Sequence, residues 1–210
     1  AHAHLGLNPR FYFPESGWRD VLAHMDRCRV DAIVQTHQSM LSGDWASGAD
    51  ENLEAYEGSN GRILAYAPYN PNHPDAVGRV ERLLELCHYV GIKIHPSFHG
   101  LYADDDAYEP AWCVAQERGV PILTHSYDRS AATPSQKLSW VPLFVKWLEA
   151  FPDVDLILGH SGGLPTGHRE SVQLARSFTN VWLDTAGDPV AYGFLEYVVG
   201  EVGSGRLPYG

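Results

Sequence analysis

The sequence predicts a (β/α)8 barrel, an α/β fold, on three observations. Short apolar runs alternate with longer amphipathic segments along the 210 residues, giving eight strand signals separated by seven helix signals. A histidine, lysine or aspartate stands at or near the end of most apolar runs. A closed barrel gathers all such ends round one mouth, whereas an open doubly wound sheet gathers two or three beside one crevice. Finally, the first strand-to-helix link lacks the Gly-x-Gly-x-x-Gly fingerprint that would favour the open sheet.

The first strand covers residues 1–5, Ala1-His2-Ala3-His4-Leu5, and loop 6–15 carries Phe11, Tyr12 and Phe13, placed to cover a pocket mouth. Ser16 is positioned to cap a helix running to Cys28, with Trp18, Val21, Leu22 and Met25 on one face. The second strand, 31–36, ends in His37, and the polar, glycine-containing stretch 38–48 reads as loop. A helix over 51–56 follows, closed by Gly58 and Gly61. After the third strand, 63–67, the turn signal Asn70-Pro71-Asn72-His73-Pro74 leads to a helix over 75–87, with Val77, Val80, Leu83, Leu84 and Cys87 at helical spacing.

The fourth strand, 90–94, runs into His95-Pro96. Its helix lies over 108–117, with Asp104, Asp105 and Asp106 near the positive N-terminal end and Gly119 as the stop. The fifth strand, 121–124, has His125 after it, and the polar loop 126–137 leads to a helix over 138–150 closed by Pro152. The sixth strand, 155–158, enters Gly159-His160-Ser161-Gly162-Gly163, followed by a helix over 168–177. The seventh strand, 181–183, is followed by Asp184 and a helix over 190–202, and residues 206–210 read as the opening of an eighth strand. These elements make one domain over 1–210, short against the roughly 250 residues usual for the fold. The expected barrel is therefore truncated in strand 8, with the helix after it absent.

Charge and composition narrow the partners. A formal net charge of -11 argues against nucleic acid or an anionic membrane surface. No apolar run reaches membrane-spanning length, so a small-molecule substrate is the expected partner, with a homo-oligomer left open. Cys28, Cys87 and Cys113 are odd in number and far apart, which disfavours a disulfide framework or a cysteine-rich zinc site and fits a reducing, cytoplasmic compartment.

The strand ends carry the candidate chemistry. His2 and His4, at spacing i, i+2 in an extended segment, point the same way and can offer two imidazoles to one metal ion. His125 is the strongest third ligand, and His160, among glycines that permit close approach, is a fourth ligand or a general acid/base. Lys93, inside an apolar strand, cannot face a helix-covered exterior without burying an unpaired charge, so it should point into the mouth. There it would bind a substrate carboxylate, stabilise developing negative charge or, if carbamylated, bridge two metals. His95 is a ligand, a substrate contact or a plain loop residue; Asp184 orients a ligand histidine, touches substrate or makes a structural hydrogen bond. Asp128, Arg129, Arg169 and Glu170 fall in mouth loops, with Tyr12, Trp45, Tyr69, Phe98 and Tyr127 as candidate pocket walls. Ser126 and Ser161 lack a Gly-x-Ser-x-Gly elbow, which disfavours a serine triad.

Taken as a set, His2-Ala3-His4, Asn70-Pro71, Lys93-Ile94-His95-Pro96, His125, Leu158-Gly159-His160-Ser161-Gly162-Gly163 and the ending Arg206-Leu207-Pro208-Tyr209-Gly210 resemble the amidohydrolase superfamily. Within it they resemble the amidohydrolase-related family, which includes aminocarboxymuconate semialdehyde decarboxylase and its relatives. The resemblance implies a (β/α)8 barrel in which His2, His4 and His125 bind one divalent metal, zinc foremost, and His160 activates the metal-bound water or protonates substrate. It also implies a catalytic aspartate on strand 8, just beyond Gly210, without which these residues would be an incomplete enzyme. The implied activity is metal-dependent hydrolysis of an amide, ester or lactone in a small carboxylate-bearing substrate. The alternatives are non-oxidative decarboxylation of an unsaturated or aromatic acid, and an inactive barrel retained for binding. A basic pocket round Lys93 with Arg129 or Arg169 turned inward would favour decarboxylation.

Overall fold

The computed structural model describes residues 2–8, 14–187 and 193–209. Among them seven strands form one sheet, entirely parallel and in sequential order: β1 (Ala3–Leu5), β2 (Ile33–His37), β3 (Ile63–Pro68), β4 (Tyr89–Ile94), β5 (Ile122–His125), β6 (Leu156–Gly159) and β7 (Val181–Leu183). The sheet curls as an open barrel of the (β/α)8 kind. Among the described residues no backbone ladder joins β7 to β1. The stretch expected to open an eighth strand instead makes a 3-10 turn, Ser204–Arg206, and continues to 209 without strand pairing.

Alternation sorts each strand into two faces. The outward set includes Ala65, Ala67, Ile92, Ile94, Leu156, Leu158, Val181 and Leu183, all buried in the main core. They pack beneath α4 (Ala76–Leu84), α6 (Glu109–Arg118), α8 (Pro165–Ser177) and α9 (Phe194–Val202), with Trp112 of α6 stacked on Trp147 of α7 (Val145–Ala150). A smaller cluster joins Leu5 of β1 and Ile63 of β3 to Met25 of α1 (Trp18–Cys28). Burial of this outward face supplies the main driving force for the layer, and it frees the inward face for polar groups.

One irregularity decides which way β4 faces. Ala65 pairs with Tyr89 but Ala67 pairs with Ile92, so β4 carries one extra residue there. Without that bulge Tyr89 and Lys93 would share a face; with it, they do not. Tyr89 lies outward, where its hydroxyl accepts from Asn52 at 3.0 Å. Lys93 is turned inward, level with Pro68 and Leu123.

Two segments differ from expectation. The stretch 38–48, read as loop, holds α2 (Gln38–Ser42) and the start of α3 (Trp45–Gly58). Its helices rest on capping rather than apolar periodicity: the His37 imidazole accepts from Ser39 N, and the Asp44 carboxylate accepts from Ser47 N. The helix expected over 138–150 is α-helical only at Val145–Ala150, preceded by 3-10 turns Pro134–Ser139 and Val141–Phe144. Pro142 lacks an N–H and disfavours helical backbone at Val141, so the regular helix starts after it. No helix among the described residues is long and apolar enough to cross a membrane. Residues 9–13, with the expected mouth cover of Phe11, Tyr12 and Phe13, and 190–192 of the last expected helix lie outside the described set.

Candidate active site

β1 pairs with the last three residues of β2, His4 opposite Thr36, so the histidines of this short strand sit level with the C-terminal ends of the others. Register then carries the same face round the sheet: Val34 to Leu64, Pro68 to Lys93, Lys93 to Leu123, and His125 to Gly159. The result is a cavity of about 870 Å³ lined by His2, His4, Lys93, His95, His125 and His160, with Phe98 and Tyr127 on its wall. Gly159 is what makes room on the β6 side. A Cβ there would stand 2.6 Å from the Thr124 carbonyl oxygen and 3.1 Å from the His2 ring.

At the floor three side chains form a continuous line. Lys93 Nζ is 3.2 Å from His2 Nε2, and His2 Nδ1 is 2.8 Å from Asp184 Oδ2. Lys93 is 1% exposed and Asp184 is fully buried, so neither charge is balanced by bulk water. The carboxylate takes the His2 Nδ1–H, which leaves the Nε2 lone pair facing the lysine nitrogen. Burial lowers the Lys93 ammonium to about 7, partly opposed by the negative charge of Asp184. Burial also raises the Asp184 carboxyl to about 6, against hydrogen bonds from the His160 and Ala186 backbone N–H groups. His2 is pushed well below its ordinary value by burial and by Lys93, so it is the neutral imidazole.

The other histidines are fixed one by one. His4 donates from Nδ1 to the Thr36 carbonyl at 2.8 Å, and burial brings it down to about 4. His125 donates from Nε2 to Gln136 Oε1 at 2.7 Å, and burial lowers it strongly. His95, lowered chiefly by burial and by His125, accepts the Phe98 N–H on Nδ1. Phe98, His95, His125 and Tyr127 make a column of near-parallel rings, with successive centroids at 3.9, 4.1 and 5.8 Å. His160 meets this column edge-on at 4.9 Å from His125 and lies 5.0 Å from His2.

His160 is held by a strained turn. His160 and Ser161 both have positive φ, 65° and 43°, a conformation that costs on the order of 1–2 kcal/mol for each L-residue. Asp184 locks it: His160 N donates to Asp184 Oδ1 at 2.7 Å, and Ser161 Oγ donates to the Asp184 carbonyl at 2.6 Å. The ring then gives Nδ1–H to the Ala186 carbonyl at 3.1 Å, so Nε2 is its basic nitrogen. Asp184 thus positions His2 and His160 together.

Several expected contributors lie elsewhere. Arg129 packs over the Trp140 ring and Arg169 bonds Thr166, and neither lines the cavity. Asp128 accepts from Ser130 and from Gly167 N at the start of α8, and Glu170 accepts from Trp140. Trp45 meets His73 and Arg79, and Tyr69 bonds the Ala107 carbonyl, so only Phe98 and Tyr127 of the described candidate walls line the pocket. Two further residues belong to the site. Tyr66 faces inward, and burial together with Asp184 raises its phenol well above the ordinary range; it shares the alternation of Leu64 and Pro68, a signal present in the strand. Gln136 sits in the 3-10 turn Pro134–Ser139, whose polar sequence gives no such signal.

The expected metal centre is not formed. Among the described residues no group of three or more His, Cys, Asp or Glu side chains is arranged to hold a metal ion. The imidazoles are gathered, but their lone pairs do not converge. That of His2 is covered by Lys93, and His125 spends Nε2 as a donor to Gln136, which moves its lone pair to Nδ1. One zinc on His2, His4 and His125, with or without His160, does not fit this donor set.

A family model described as Amidohydrolase matches residues 46–199, well over half of the chain. The chain belongs to the amidohydrolase family. No curated protein matches the sequence. Among solved structures, 5-carboxyvanillate decarboxylase from Sphingomonas paucimobilis is 16% identical, with a TM-score of 0.64 over 90% of this chain and 70% of that one. The IDCase of Metarhizium anisopliae is 20% identical, with a TM-score of 0.66 over 93% and 65%. The 4-oxalomesaconate hydratase of Rhodopseudomonas palustris is 13% identical, with a TM-score of 0.65 over 91% and 65%. At these identities the likeness is one of fold, and this amidohydrolase-family chain spans about two thirds of each of those proteins.

Proposed function

We propose that the mouth hydrolyses an amide, ester or lactone in a small carboxylate-bearing substrate. The observation that carries this reading is the buried line Lys93–His2–Asp184 at the floor of a cavity into which His4, His95, His125 and His160 also face. Lys93 is the one lysine or arginine among the described lining residues, and its ammonium form is the group to hold the substrate's acidic end. His160, anchored through Nδ1, presents Nε2 to take a proton from an attacking water and return it to the leaving group. The imidazoles are held by fixed hydrogen bonds in a buried setting, so the base needs no reorientation as the water is deprotonated. Arg129 and Arg169 turn away from the cavity, which removes the arginine clamp that decarboxylation would have used.

A panel of lactones, esters and amides, each with and without a carboxylate, tests the reading. We expect turnover confined to the acidic members, a raised KM in Lys93→Met, and a kcat about 10²–10⁴-fold lower in His160→Ala. Release of carbon dioxide from aromatic or unsaturated acids, with no hydrolysis across the panel, would replace it with decarboxylation.

A further inference from the structure

We infer that Lys93 also captures the ketone of a small keto acid as a covalent imine, with His2 as its base and Asp184 as the group that orients His2. The geometry has the three parts an activated nucleophile requires. A nitrogen nucleophile lines the cavity. A base lies within hydrogen-bond reach of it, Nζ to Nε2 at 3.2 Å. A buried carboxylate fixes that base at 2.8 Å, through the opposite ring nitrogen, so that its lone pair faces the nucleophile. The two other lysines have no such surroundings: Lys146 pairs with Asp106 at the surface, and Lys137 lies in a 3-10 turn.

The chemistry balances with nothing added but substrate and water. The neutral Nζ attacks the ketone carbon, and the carbonyl oxygen gains a proton as Nζ loses one through His2, giving a carbinolamine. Protonation of that hydroxyl expels water and leaves an iminium. If the bound molecule is a β-keto acid, the electron pair of the bond to its carboxylate flows into the iminium. Carbon dioxide departs, an enamine forms and is protonated on carbon, and water releases the ketone and the free amine. This route differs from loss of carbon dioxide by an aromatic acid, which offers no ketone to capture. It also stands apart from the hydrolytic reading, since labelling and hydrolysis are measured on different compounds.

The test is reductive trapping of the full chain with pyruvate and sodium borohydride, followed by peptide mapping. With only three lysines in the sequence, Lys137 and Lys146 serve as internal controls. The expected result is a mass gain equal to pyruvic acid less one oxygen, on Lys93 in large excess over both, and absent from that peptide in Lys93→Arg. Asp184→Asn is expected to slow labelling about 100-fold, within the range of general base catalysis. A purely structural role for Asp184 would instead lower the urea midpoint and leave the labelling rate of the folded fraction unchanged. Equal labelling of the three lysines in the wild-type chain, or none at Lys93, overturns the inference without recourse to any variant.

Discussion

Lys93 and Asp184 are displaced from their ordinary ionisation in opposite senses, and the two displacements act on stability in separate windows of pH. The Lys93 ammonium is lowered from 10.5 to about 7 on folding, so its contribution is full above the unfolded value and is lost as pH falls toward 7. The Asp184 carboxyl is raised from 3.8 to about 6, so its contribution is present below 3.8 and is lost as pH rises through 6. Relative to Lys93→Met, the wild type should therefore gain stability between pH 7 and 10, by about 1.4 kcal/mol for each unit of displacement. Urea midpoints of both proteins at the two ends of that window measure it, and a gap that does not change with pH would refute it. At this scale the sequence revealed which residues stand at the mouth but not how they are joined. An apolar strand interrupted by Lys93, or a run ending in His125, is visible as a pattern. That His125 spends its Nε2 on Gln136, and His2 its lone pair on Lys93, depends on loop placement and ring tautomer. The zinc expectation failed at that step: residue types were legible and lone-pair directions were not.

Among the elements, β6 and the turn after it show how little freedom the mouth has. The absent side chain at Gly159 admits the His2 ring, and the Thr124 carbonyl lies too close for a methyl group to be accommodated by a side-chain rotation. Gly159→Ala should cost about 1–3 kcal/mol, as overpacking of a filled interior does, and should weaken the Lys93–His2 contact as well. Denaturant unfolding reads the first effect and the rate of pyruvate labelling the second; a variant unchanged in both would show that the ring has room to move. Strands and their order were legible because their apolar runs are short and regularly spaced. The second half of α3 was legible as the helix over 51–56, but α2 and the first turns of α3 were not, since Gly48 and Asp50 stand where a clean apolar stripe would otherwise announce them. Pro142 was a warning in plain view for the segment 138–150.

For the molecule as a whole, the described sheet has two ends, and side chains rather than a backbone ladder connect them. His2 beside β1 bonds Asp184 beside β7 at 2.8 Å, across the interval where a closed barrel would carry another strand. Asp184→Ala should therefore speed amide exchange in Ala3–Leu5 far more than in β5, which is paired on both sides. Hydrogen exchange followed by peptide mass spectrometry decides it, and uniform acceleration across the sheet would mean that the contact ties nothing in particular.

The same contact gives the molecule a mechanical property. The bond that draws the ends of the sheet together is also the outer link of the line Lys93–His2–Asp184, so what occupies Lys93 bears on how the sheet is held. When Lys93 holds a carboxylate or is captured as an imine, the partner of His2 Nε2 changes, and the His2–Asp184 bond across the opening is expected to respond. Chemistry at the floor would be transmitted as compliance at the rim, and a force probe or an exchange-rate ratio could follow turnover without seeing the substrate at all.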